Sequence, residues 1–162
     1  MKSIIITIIA ISIATFAPLK AMQADNTNNN DFIVAENLIE AVNDIDFISL
    51  NVLLAEGAAV DTVDQAGNSP LILAAKIGNP RMIEIILAHN PDVNRRNDNG
   101  ETALMIASAN GILSIVKDLK ENGANPELRN NDGFTSSQIA IRNGHASVAQ
   151  FLSQSEVVTF SR

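Results

Sequence analysis

Between Leu71 and Leu87 the apolar positions fall into two short clusters rather than one long stripe. Leu71, Ala74 and Ala75 stand at i, i+3 and i+4, the spacing that puts three side chains on one face of a helix. After a break at Gly78, Ile83, Ile86 and Leu87 make the inward face of a second helix. A polar run, Arg95-Arg96-Asn97-Asp98-Asn99-Gly100, then reads as a projecting hairpin loop whose glycine closes a tight turn. The pattern returns downstream: Leu104 and Ala107 repeat the first cluster, while Val116 and Leu119, then Ala149 and Leu152, repeat the second. It also precedes Leu71, with Leu38, Ala41 and Val42 one period upstream and Leu50, Leu53 and Leu54 in the second helix.

Two glycine series set that period. Gly67, Gly100 and Gly133 form one series with a step of 33, and Gly78, Gly111 and Gly144 form the other. Such self-similarity marks a supersecondary unit that buries its apolar face against its neighbours. The helix starts are in phase too. Ser69 precedes Pro70 as a hydroxyl N-cap before a proline at the first helical position, and Thr102 and Thr135 recur at the cap.

The motif Asp64-x-x-Gly67-x-Ser69-Pro70-Leu71-x-x-Ala74-Ala75-x-x-Gly78 resembles an ankyrin repeat. So do Asn97-x-x-Gly100-x-Thr102-Ala103-Leu104 with Ala107 and Gly111, and Asn131-Asp132-Gly133-Phe134-Thr135 with Ala140 and Gly144-His145. Gly57-Ala58-Ala59-Val60-Asp61 reads as the end of an earlier unit. The resemblance covers roughly residues 32–152. It implies an all-α ankyrin repeat solenoid of about four stacked helix-turn-helix units joined by projecting hairpin loops, with repeats at about 32–63, 64–96, 97–129 and 130–153. One departure recurs: the histidine usual after the Pro-Leu pair is replaced by Ile72, Met105 and Gln138. The hydrogen bonds which that histidine makes to the neighbouring loop are thereby removed, and the expectation is a more mobile set of hairpins.

The end units differ from the middle as caps of a stack should, since each needs one face tolerable to water. In the first, Ile45 replaces the inter-helix glycine. In the last, Ser136-Ser137 replaces Pro70-Leu71 and Ser153 falls where Leu87 would be.

Composition changes the picture at the N-terminus. Lys2, the apolar run Ile4 to Ala17, and then Pro18, Lys20, Ala21 and Ala24 follow the order of a secretory signal over residues 1–24. Ala24 is the preferred last signal residue and Ala21 the alternative; an uncleaved amphitropic anchor is the competing reading. With no cysteine after the run, a bacterial lipoprotein anchor is excluded. The expected address is periplasmic or secreted, with no stable membrane anchor after cleavage. Residues 25–31 are expected to be a disordered Asn-rich leader. Residues 154–162 are expected to be a tail, with Val157-Val158-Thr159-Phe160 folding back over the last helix pair or serving as a sticky peptide for a partner. Without residues 1–24 the chain has nine basic against eighteen acidic residues, a net charge of −9. That charge disfavours nucleic acid and anionic lipid.

Candidate chemistry is sparse. The absence of cysteine removes disulfides, thiol nucleophiles and thiolate metal sites. His145 reads as a helix-start residue and His89 as a cation at a helix C-terminus, and neither has a Glu at metal-ligand spacing. The glycines are spread at the repeat period, with no Gly-Lys-Ser/Thr phosphate loop. Asp64, Asp98 and Asp132 lie at turns, where Asp bonds its own backbone. No enzymatic activity, cofactor or metal is expected.

The resemblance instead implies a protein-binding surface: a concave strip of hairpin tips and inner-helix positions. Here those positions hold Lys76, Ile77, Arg95, Arg96, Asp98, Asn99, Glu101, Asn110, Arg129, Phe134, Arg142 and Asn143. Five of the nine basic residues (Lys76, Arg95, Arg96, Arg129 and Arg142) fall on or beside the strip, so an acidic partner face is one expectation, with Ile77 and Phe134 as apolar anchors. Arginines that only keep the groove solvated are the other. The function classes are an exported, monomeric adaptor or inhibitor, and an envelope component that protects a resident enzyme. A cytosolic protein of the same family is the third class if residues 1–24 are no signal.

Overall fold

The chain divides into two units, Met1–Asn30 and Asp31–Arg162. The computed structural model describes residues 37–154, all within the second. The expected signal, the Asn-rich leader and Val157–Phe160 lie outside the described residues.

Those residues form eight helices in four pairs. Residues 37–43 (α1) and Phe47–Ala55 (α2) make the first pair, and Pro70–Ile77 (α3) and Pro80–Leu87 (α4) the second. Ala103–Ala109 (α5) pairs with Leu113–Glu121 (α6), and Ser136–Arg142 (α7) with Ala146–Gln154 (α8). First helices pack on first helices and second on second, so α3, α5 and α7 line one layer and α4, α6 and α8 another.

The inner helices are short because their ends are fixed in sequence. Ser69, Thr102 and Thr135 each accept the backbone N–H three residues on, and Thr135 completes a capping box with Gln138. At the other end Gly78 takes the left-handed conformation, φ +78, and accepts the chain reversal at no steric cost. Ile45 holds φ +58 at the same place in the first pair, as the registry of the two glycine series requires.

One apolar core runs through all four pairs. Leu71, Ala74, Ala75, Leu104, Ala107, Val116, Leu119 and Leu152 are buried as the periodicity predicts. In α4 the expectation needs correction: Met82 joins Ile83 and Ile86 in the core, while Leu87 at the last turn is only half-buried. Leu53 is likewise half-buried beside Leu50 and Leu54. Ser136 also departs from the reading as a water-facing residue. It is fully buried at the start of α7, and its hydroxyl has no hydrogen-bond partner among the described residues. Ser153 is exposed, bonded to Ala149 O.

The places of the missing histidines are apolar or capping. Ile72 and Met105 are buried, and Gln138 serves the capping box. The loops are tied to one another by other groups.

Candidate protein-binding face

Three loops repeat one construction. In each, the residue at position 64, 97 or 130 donates its N–H to the carbonyl four residues on, and the glycine three residues on donates back. Asp64, Asn97 and Asn130 also accept loop N–H groups through their side chains. Consecutive loops are then joined by Asp98 N–H to Ala66 O and by Asn131 N–H to Asn99 O, at 3.1 and 3.0 Å. Asn97 Nδ2 donates to Asn68 Oδ1 at 2.9 Å, and Asn131 Nδ2 to Asp98 O at 2.8 Å. The loops thus form a continuous hydrogen-bonded band along the edge of the inner helices.

Much of the expected strip is engaged in building this band. Arg96 Nε donates to Gly100 O at 3.0 Å, and its Nη2 donates to Arg129 O at 2.8 Å. Arg129, one period on, donates to Gly133 O at 2.8 Å. Asn110 Nδ2 lies 3.3 Å from Ala75 O and 3.4 Å from Lys76 O, and Asn143 Nδ2 donates to Ala109 O at 2.9 Å. Each asparagine thereby satisfies the orphan carbonyls at the end of the preceding unit's inner helix. Arg142 covers the ring of Phe134, its guanidinium carbon 4.2 Å from the centroid, so the anchor and the cation pair with each other. His145 is part of the same stitching. Its Nε2 sits 2.9 Å from Ala109 O, and because a carbonyl only accepts, that nitrogen carries the proton.

Lys76, Ile77, Arg95, Asp98 and Asn99 remain with side chains that make no hydrogen bond to the described residues, and Ile77 is an exposed apolar residue. Lys76 borders a hollow of about 170 Å³ between the first and second of these loops and the helices α3 and α5. Ile72 and Ile106 supply its apolar surface, and Asn97, Asp98, Asn99 and Glu101 its loop side. Asn97, Asn68, Ile72 and Ile106 were absent from the sequence-derived strip. Apolar residues at inner-helix positions read as core, and Ile106 is in fact only half-buried. Glu101 Oε2 accepts from Asn97 Nδ2 at 3.2 Å, which holds the carboxylate beside the hollow.

Lys76 is also felt by Asp64. Burial pushes that carboxyl upward, but bonds from the Asn68 side chain and the Asn68 and Ala66 amides, with the Lys76 charge, outweigh it and hold the group below its ordinary value.

Among the described residues no group of three His, Cys, Asp or Glu is placed to hold a metal ion, and no helix is long and apolar enough to cross a membrane. Helix pairs stacked in register, with loops bonded edge to edge, define a repeat solenoid. The family profile for ankyrin repeats, three copies, matches residues 38–130, more than half of the chain, which therefore belongs to the ankyrin repeat family. The α7–α8 pair, beyond the matched residues, repeats the same turns and caps. Comparison with curated proteins gives no match. Ankyrin repeats are typically non-catalytic and act as protein–protein interaction modules, and this chain is one.

Proposed function

We propose that this chain is an exported, monomeric adaptor that holds a protein partner on the loop tips and inner helices, centred on the hollow beside Lys76. The observation that carries this reading is the hollow itself. A space of about 170 Å³ with an apolar surface and charged rim accepts one long side chain; a cavity of about 150 Å³ already holds benzene. Arg96 and Arg129 are bonded to carbonyls and Arg142 lies on Phe134, so the charged groups left to meet a partner at the hollow are Lys76, Asp98 and Glu101. Two carboxylates against one ammonium favour a cationic side chain, with Lys76 meeting a carbonyl or carboxylate beside it. This replaces the acidic partner face suggested by counting arginines. Support for export is the order of residues 1–24: charge, apolar run, small-residue exit.

The test is site-specific photo-crosslinking in the native producer, with the probe at Ile77 or, as a control, at Glu84 on α4. Fractionation and the mature N-terminus are read in the same sample. One reproducible partner from Ile77, lost in Glu101→Lys and absent from Glu84, with a start at Met22 or Asp25, supports the reading. Crosslinks from Glu84 alone refute the face. An intact Met1 in the cytosol refutes export.

A further inference from the structure

Four asparagine–glycine steps occur: Asn99-Gly100, Asn110-Gly111, Asn122-Gly123 and Asn143-Gly144. Sequence does not separate them. Nor do asparagine exposure and backbone: all four asparagines are exposed, all four glycines hold φ between +71 and +89, and each glycine N–H is bonded to the carbonyl three residues back, Gly100 being the one buried glycine. The side-chain amides do. Asn110 Nδ2 is held by Ala75 O and Lys76 O, Asn122 Nδ2 by Asp118 O at 2.8 Å, and Asn143 Nδ2 by Ala109 O. The Asn99 amide makes no hydrogen bond to the described residues; only its backbone is tied, through N–H to Asn97 Oδ1 and carbonyl to Asn131 N–H.

We infer that Asn99 is a site of spontaneous deamidation, converting a neutral loop tip into a carboxylate at the rim of the hollow. The Gly100 nitrogen gives up its N–H bond to Asn97 O and attacks Asn99 Cγ, the Cγ–Nδ2 bond breaks, and ammonia leaves with the proton from the Gly100 amide. Water then opens the resulting imide at either carbonyl, giving aspartate or isoaspartate. The balance is water in and ammonia out, with no change of oxidation state. Two features favour this step at Asn99 over the other three sites. Its Cγ is free to turn toward the following nitrogen, whereas the other three must first give up a bond to a helix carbonyl. Arg96 is bonded to Gly100 O and its guanidinium lies against Gly100, so a fixed cation favours loss of the amide proton. The aspartate product fits the loop, because Asp132 occupies the same position one period on.

The functional consequence rests on the cationic-ligand reading above. A carboxylate at position 99 joins Asp98 and Glu101 and strengthens capture of a basic side chain.

The experiment keeps the full mature chain at body temperature and mildly alkaline pH, beside a sample unfolded in urea. Peptide mapping with fragmentation that distinguishes aspartate from isoaspartate follows each step. The expected result is conversion of Asn99 severalfold ahead of Asn110, Asn122 and Asn143 in the folded chain, and comparable rates at all four in urea. Equal rates in the folded chain, an intact Asn99, or the same preference in urea would overturn the assignment. A second measurement titrates wild type and Asn99→Asp with the tripeptide acetyl-Gly-Arg-Gly-amide, followed by NMR shifts of residues 97–101. Tighter binding by Asn99→Asp supports the consequence. Equal or weaker binding overturns the cationic-ligand reading while peptide mapping still decides the modification.

Discussion

Gly111 and Ile45 occupy the same place in two copies of one turn, and both hold positive φ, +71 and +58. One is the residue that conformation favours; the other is β-branched and disfavoured there by about 1–2 kcal/mol. The difference lies in what the next unit lays over the turn. Over Gly111 comes the His145 ring, which leaves no room for a Cβ, and over Gly78 comes Ile112. Over Ile45 the equivalent residue is Asn79, whose side chain is turned onto its own helix to accept from Arg81 and Met82 N–H. Ile45 therefore fits, and its side chain is 43% exposed beside the still more exposed Ile48. The turn's backbone is imposed by the stack. Whether a residue other than glycine is tolerated depends on the cap one unit on.

The largest test of that comparison is one substitution at two glycines. Gly144→Ala, with φ +80 and open space around it, should cost about 1 kcal/mol from backbone strain alone. Gly111→Ala should cost about 3 kcal/mol, because the new Cβ displaces His145 and its bond to Ala109 as well. Urea unfolding measures both. Equal costs would show that the His145 ring does not press on Gly111.

Next in size are the loop clamps. Arg96→Ala removes bonds to two carbonyls and should cost about 1.5 kcal/mol, while Arg129→Ala removes one and should cost about half as much. Thermal unfolding of the pair reads the difference. Arg129 proving the more costly would mean that the clamp acts within a loop and not between loops.

The ends of the stack should respond in the opposite direction. Ile45→Gly relieves the strained turn and should raise stability by about 1 kcal/mol. Ser136→Ala should also raise it, by up to about 1 kcal/mol, since it removes a buried hydroxyl without a partner and installs the residue that Ala103 already is one period earlier. A loss in either variant, seen as a lower urea midpoint, would show that the residue makes an interaction in solution that the packing does not reveal.

The helix pairs, their caps and the turn glycines were legible because each is a local requirement repeated at one period. Ser69, Thr102 and Thr135 do the same thing in three places, and one reading served all three. The binding face was less legible because a polar residue at a turn reads alike whether it meets solvent, a partner or a neighbouring carbonyl. Recurrence separates some of these cases. Arg96 and Arg129, and Asn110 and Asn143, each recur at a step of 33, and all four are used within the stack. Lys76, which borders the hollow, does not recur: Ala109 and Arg142 stand at its place. Ser136 failed for another reason. Polarity suggested water, but the position is the first of an inner helix and is buried in the second, third and fourth units, as Pro70, Ala103 and Ser136 alike; it is exposed in the first unit, at Asn37.

The smallest expected effect divides the first units from the rest by pH. Asp46 caps α2 where Asn79 caps α4, and Asp64 holds its loop where Asn97 and Asn130 hold theirs. The Ser49 hydroxyl, at 2.6 Å, and the Ser49 and Ile48 amides hold the Asp46 carboxyl below its ordinary value of 3.8 despite some opposing desolvation. Asp64 is held below 3.8 as well, burial being outweighed by the Asn68 and Ala66 bonds. A carboxyl whose folded value is depressed adds stability that is fully present above the unfolded value and is lost as pH falls through the folded one. The contribution of both groups is therefore constant near neutrality and disappears below about pH 3.8, whereas the asparagine counterparts do not titrate. Hydrogen exchange at pH 3 against pH 6, corrected for intrinsic rates, should show protection lost at residues 48–49 and 66–68 before residues 99–101. Asp46→Asn with Asp64→Asn should abolish that order. Loss of protection that begins instead at residues 99–101 would show that acid enters the stack through its middle, and that the asparagine ties are weaker than the aspartate ones even when the aspartates are protonated.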